Sequence, residues 1–124
     1  MSAFEKHLDL ICRFDPQTTD SRREAFRSIF PDLADRLMDD IYGFAYRREF
    51  ISLETRHLIS LGILSAMGGC ENQLRFQLTE ALNLDIPVDR IREAFIQVAV
   101  FAGNARAINA AAMLKQIVET DKTE

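Results

Sequence analysis

Residues 52–83, SLETRHLISLGILSAMGGCENQLRFQLTEALN, decide the fold of this chain. Ser52 is a good helix N-cap, because its hydroxyl can take an orphan backbone N–H, and Glu54 complements the helix dipole. From Leu58 to Met67 the residues are apolar almost all round, so the spacing predicts a helix over Leu53–Met67 that is buried on several sides. Gly68-Gly69 stops it. A second helix, more polar on one side, follows from about Cys70 to Asn83.

The same three- to four-residue recurrence of apolar positions extends outward in both directions. Upstream, Ala3–Phe14 reads as one amphipathic segment, with Leu8, Ile11 and Cys12 on one face. Thr19 or Asp20 caps a second that carries Ala25, Phe26 and Ile29 inward until Pro31 ends it. A third spans about Asp32–Tyr46, with Leu33, Leu37, Ile41 and Phe44 forming a stripe. Downstream, Pro87 starts a helix over Val88–Ala102, and Gly103 separates it from a last helix over about Asn104–Thr120. The run FIQVAVF has the β-branched and aromatic content of a strand, but helical spacing flanks it and no hairpin turn lies nearby. The expectation is an all-α bundle of about seven helices, one domain over residues 1–124, with no internal repeat.

A chain of 124 residues has room for a modest core. Hydrophobic content of 48% and charged content of 27% describe an ordinary globular protein. A net charge of −4 argues against nucleic acid as a partner, since phosphate binding needs concentrated basic surface. The doublets Arg22-Arg23 and Arg47-Arg48 read as solvated helix faces. No apolar run approaches the ~18 residues that span a bilayer, and the N-terminus lacks the apolar core of a signal peptide. The two cysteines, Cys12 and Cys70, make no disulfide framework, which fits a reducing cytoplasm. Two helices apolar on most faces exceed what so short a chain covers alone. The alanines at 105, 107, 110, 111 and 112 permit close helix contact, so a homo-oligomer is expected.

Several short motifs, in this order and spacing, carry a family resemblance. They are the Ser-Leu-x-Thr-Arg helix start at 52–56, the Gly-Gly-x-x-x-Gln-Leu turn, Ala81-Leu82-Asn83, Ile91-x-Glu93-Ala94, and Ala102-Gly103 followed by Asn109-Ala110. With them the chain, over about residues 25–118, resembles the carboxymuconolactone decarboxylase family, which includes the AhpD-like alkylhydroperoxidases. The resemblance implies an all-α fold and trimers, or hexamers built as trimers of dimers. It also implies one of two chemistries. The first is decarboxylation of a lactone acid without metal or organic cofactor. The second is a peroxide-reducing relay through Cys-x-x-Cys-x-x-x-His with a glutamate on the preceding helix. Carried over, the first cysteine falls at Cys70, the second at Gln73, the histidine at Gln77 and the glutamate at His57. The family's Tyr-Ala-Gly-x-Pro segment becomes Phe101 to Ala105.

Cys70, Gln73 and Gln77 share one helix face by spacing, and the family fold places His57 on the helix that packs against it. The expected site is therefore His57 and Cys70 as catalytic groups, with Gln73, Gln77, Arg75 and Phe101 binding substrate in a common hollow. His57 ionises near neutrality and is the ready acid or base; its alternative role is structural, hydrogen-bonded to a backbone carbonyl. Cys70 at a helix N-terminus is either a nucleophile or an inert small hydrophobe. Gln73 and Gln77 hydrogen-bond but do not transfer protons. Of Arg56, Arg75 and Arg106, one is expected to turn inward to hold a carboxylate. His7 and His57 lack a third ligand at helical spacing, so no metal is expected. Three functions follow as expectations: a cofactor-free decarboxylase-like enzyme on a small carboxylic or lactone substrate, a thiol peroxidase acting through Cys70, or an oligomeric small-molecule-binding protein without catalysis.

Overall fold

The computed structural model describes residues 1–16 and 21–123, and every regular element among them is helical. The elements are α1 Ala3–Lys6, α2 Leu8–Phe14, α3 Ser21–Ile29, α4 Pro31–Met38, a π-helical turn Asp39–Phe44, a 3-10 turn Ala45–Arg47, α5 Leu53–Met67, α6 Glu71–Asn83, α7 Val88–Ala102 and α8 Asn104–Thr123. They group into two compact units, Met1–Leu53 and Glu54–Glu124.

In the first unit the expected single helix Ala3–Phe14 is two. The Ser2 hydroxyl accepts the Glu5 amide at 3.1 Å and starts α1. The chain then breaks at His7, whose buried ring meets the Asp39 carboxylate at 2.7 Å. The third expected helix, Asp32–Tyr46, stays α-helical only to Met38 and then widens into the π turn that carries Asp39. Gly43 in that turn lies under the His7 ring, where a Cβ would stand 2.9 Å from Cε1. Phe14 packs edge-on to Tyr42 at 5.5 Å and tilts against Tyr46 at 4.8 Å to form the unit's aromatic core. The expected caps Thr19 and Asp20 lie outside the described residues. Ala25, Phe26 and Ile29 are exposed, contrary to the inward face expected of them, and Leu33, Leu37 and Phe44 of the expected stripe are exposed too.

In the second unit α5 and α7 occupy the residues the sequence predicts. Leu61, Leu74, Leu78, Ala81, Ile91, Phe95, Ala110 and Leu114 join α5, α6, α7 and α8 in one core. The α5–α6 reversal is made by two consecutive left-handed residues, Gly68 at φ +69° and Gly69 at φ +72°, which side chains with a Cβ seldom adopt. Gly103 at φ +114° separates α7 from α8. Asp85, at φ +61°, makes the α6–α7 turn without a glycine. One expectation for α5 fails. Only the His57, Leu61 and Ser65 face is buried, while Ile59, Ile63 and Met67 are 50, 54 and 60% exposed.

Candidate functional site

His57 lies in the second turn of α5 and has no solvent-exposed surface. Its Nε2 stands 2.7 Å from the backbone carbonyl of Gln77 on α6. A carbonyl only accepts, so Nε2 carries the hydrogen and the ring is held in one tautomer. Burial pushes the His57 pKa below its ordinary value near 6.5, opposed by the bond to Gln77. Desolvation thus favours the neutral imidazole.

Two polar atoms close to His57 in sequence or contact are enclosed without a hydrogen-bond partner: Arg56 Nε, and Gln77 Oε1 at the end of the residue whose backbone binds the ring. Buried polar groups are nearly always satisfied, so each of these atoms is open to a polar partner. Glu80, one turn beyond Gln77, is also buried, with 1% of its surface exposed. Sequence reading passed over Glu80. The signal was present, since Gln73, Gln77 and Glu80 recur at i, i+4 and i+7 along one flank of α6.

Cys70 is half-buried immediately before α6, whose first turn begins with a 2.8 Å bond from the Leu74 amide to the Cys70 carbonyl. It lines a cavity of about 30 Å³ with Ser65, Gly68, Glu71, Arg106 and Asn109 among others. Arg106 reaches this turn because Gly68 has no side chain; a Cβ there would overlap the guanidinium. Ser65, though buried, gives its hydroxyl hydrogen to the Leu61 carbonyl at 2.7 Å.

The imidazole and the thiol therefore do not share the expected hollow. The Cys70 cavity has Ser65 in its wall and not His57, and eight residues of helix separate those two by ~12 Å. Gln77 likewise lies about two helical turns, ~10 Å, beyond Cys70 along α6. Gln73 is exposed and lines neither this cavity nor the groove described below. Arg75 points away from any such site, since its Nη2 donates to Gln116 Oε1 on α8 at 3.2 Å. Phe101, 82% exposed, belongs to a separate apolar groove of about 770 Å³ between α5 and α7. Thr55, Arg90, Glu93 and Gln97 supply that groove's polar groups. Among the described residues no three His, Cys, Asp or Glu side chains are grouped to hold a metal, and no helix is long and apolar enough to cross a membrane.

Fold and site together describe an all-helical domain with a buried histidine clamped across a helical hairpin. The model of the carboxymuconolactone decarboxylase family matches residues 31–116, and the chain belongs to that family. None of the curated proteins searched matches it.

Proposed function

We propose that this chain is a decarboxylase-like member of its family, acting without a cofactor on a small carboxylic or lactone substrate. His57 is the proton-transfer residue, Gln77 orients it, and Arg56 holds a substrate oxygen. The observation that carries this reading is the buried His57 with its lowered pKa, oriented by the backbone of Gln77, whose own side-chain oxygen is enclosed without a partner. Loss of CO2 leaves the bonding electron pair on the substrate carbon, which must then gain one proton. A histidine able to take a proton from water and return it meets that need. Because the ring is fully enclosed, substrate reaches it only as the α5–α6 seam opens.

The thiol-peroxidase reading is weaker. Gln73 stands where a resolving thiol would be needed, so Cys70 would depend on an external thiol for turnover. The binding-protein reading is favoured by one observation, the apolar α5–α7 groove, whose size suits a small organic ligand. We also propose that a second copy of the chain covers the exposed Ile59, Ile63 and Phe101 side of that groove, as trimers or hexamers of the chain would require. Contiguous apolar surface of this kind is uncommon on monomers.

Turnover assays on a panel of lactone and unsaturated carboxylic acids test the reading. His57→Gln is expected to lose at least ~100-fold in rate while Cys70→Ser keeps it. Undiminished turnover in His57→Gln would overturn the assignment. Peroxide reduction lost only in Cys70→Ser would favour the thiol chemistry instead.

A further inference from the structure

Gly62 sits in the interior of α5, where glycine weakens a helix relative to alanine. Nothing in the chain asks for it. Its backbone is not left-handed, and a Cβ built on it meets nothing beyond its own helix backbone within 4 Å. Gly62 lines the α5–α7 groove with Leu58, Ala94 and Val98. A side chain missing where the chain itself has room keeps the floor of that groove clear for something from outside. Around it, Ile59 and Ile63 stand exposed on the α5 side and Phe101 on the α7 side.

The charges beside the groove are opposite and unused. Arg90 and Glu93 both line it, three residues apart on α7, yet neither side chain has a hydrogen bond or ion pair among the described residues. Asp89 and Arg92 have the same separation on the same helix and do pair, at 3.2 Å. One patch thus carries a recess and apolar knobs, a cation and an anion. Such a patch is complementary to itself. It meets the requirement of a two-fold contact, in which the same surface is used by both copies and each pairing occurs twice.

We infer that a second copy of the chain seats on the α5–α7 groove about a two-fold axis. Arg90 of each copy meets Glu93 of the other, and the exposed apolar rim of each fills the space over the other's Gly62. An axis running along the helices keeps each residue at its own height on the partner. The ~4.5 Å rise from Arg90 to Glu93 is then within reach of an arginine side chain. The apolar surface supplies the affinity, and the charge pairs fix the register. This rests on the reading above that a second copy covers the groove, and adds its symmetry. Two-fold pairing gives dimers, or hexamers built as trimers of dimers. It excludes a lone trimer, which has no two-fold axis. The rival occupant is the exposed Phe26, Ile29 and Phe30 side of α3 and α4, whose head-to-tail seating in the groove would close a ring instead.

Sedimentation equilibrium of the full chain, Arg90→Glu, Glu93→Arg and the double reversal Arg90→Glu/Glu93→Arg tests the pairing. Both residues are exposed, so the reversals leave the fold intact. Each single reversal sets like charges against each other twice across the axis. The dissociation constant of the two-fold step is expected to rise at least ~10-fold. The double reversal is expected to return it to within about threefold of the parent. Gly62→Leu is expected to keep the helical circular dichroism and cooperative unfolding of the chain but to lose the pairing, because room for the new side chain exists only in the free chain. Assembly unmoved by the single reversals, or not recovered in the double reversal, overturns the two-fold geometry and leaves the covering copy standing. A trimeric parent chain, or assembly lost in Ile29→Asp with the reversals silent, overturns it in favour of the ring. A parent chain that stays monomeric at every concentration overturns both the geometry and the covering copy.

Discussion

Acidification should destabilise this protein well before its carboxylates protonate, and His57 is the reason. Its folded pKa lies below the ordinary 6.5 because the ring is buried. The unfolded chain therefore takes up a proton near pH 6.5 that the folded chain refuses. Stability from this residue is fully present above the unfolded pKa. It falls as pH drops below that value, and levels off once the folded pKa is passed. If the folded ring excludes the proton altogether, the loss reaches about 1.4 kcal/mol at pH 5.5 and about 2 kcal/mol at pH 5. The carboxylates with depressed pKa values, Asp9 beside Arg47 and Asp39 beside His7, lose their contribution only at lower pH, and the His57→Gln comparison assigns the decline between pH 6.5 and 5. Urea unfolding at pH 7.5, 6.5, 5.5 and 5.0 should show this decline in the parent chain and a flattened profile in His57→Gln. An equally steep decline in His57→Gln would refute the reasoning and assign the effect elsewhere.

Gly68→Ala is expected to cost about 1–2 kcal/mol from the left-handed backbone alone, with a further loss as Arg106 is displaced; chemical denaturation measures it. Asp85→Gly should stabilise by roughly 0.5 kcal/mol, because glycine relieves the positive φ at a partly offsetting entropic cost. Arg75→Ala should change stability by less than about 0.5 kcal/mol and leave ligand affinity unaltered, since its contact with Gln116 is exposed; weakened substrate binding in calorimetry would restore Arg75 to the site. Ile63→Asp on the exposed α5 face should shift the sedimentation coefficient toward the monomer, and an unchanged assembly would show that this face is not covered by a second copy.

Much of the second unit is legible in the sequence, because its signals are local. Ser52, Gly68-Gly69, Pro87 and Gly103 punctuate it, and between them helical periodicity has no competitor. The first unit is less so. Nothing near His7 announces a break in α1–α2, because its cause, Asp39, lies 32 residues away. The π turn at 39–44 is likewise invisible to a search for 3.6-residue spacing. For the site, position on a face proved readable while depth along the helix did not. Cys70, Gln73 and Gln77 do fall on one side of the α6 segment, yet His57 meets only the far end of that row. The seating of Arg106 over Gly68 was not legible because it depends on a missing Cβ, and Glu80 falls in the same row as Gln73 and Gln77, but spacing alone says nothing of its burial.

The glycine pair at 68–69 has a consequence for how this family member tolerates length changes. So abrupt a reversal leaves no slack between the two rods of the hairpin. Adding a single residue after Gly69 would turn everything downstream by about 100° about the α6 axis, rolling Leu74 and Leu78 toward water and carrying the Gln77 carbonyl away from the imidazole. Three or four extra residues would restore the facing but slide it by one turn. Survivable insertions here should follow the pitch of the helix, in the manner of a screw thread rather than a hinge.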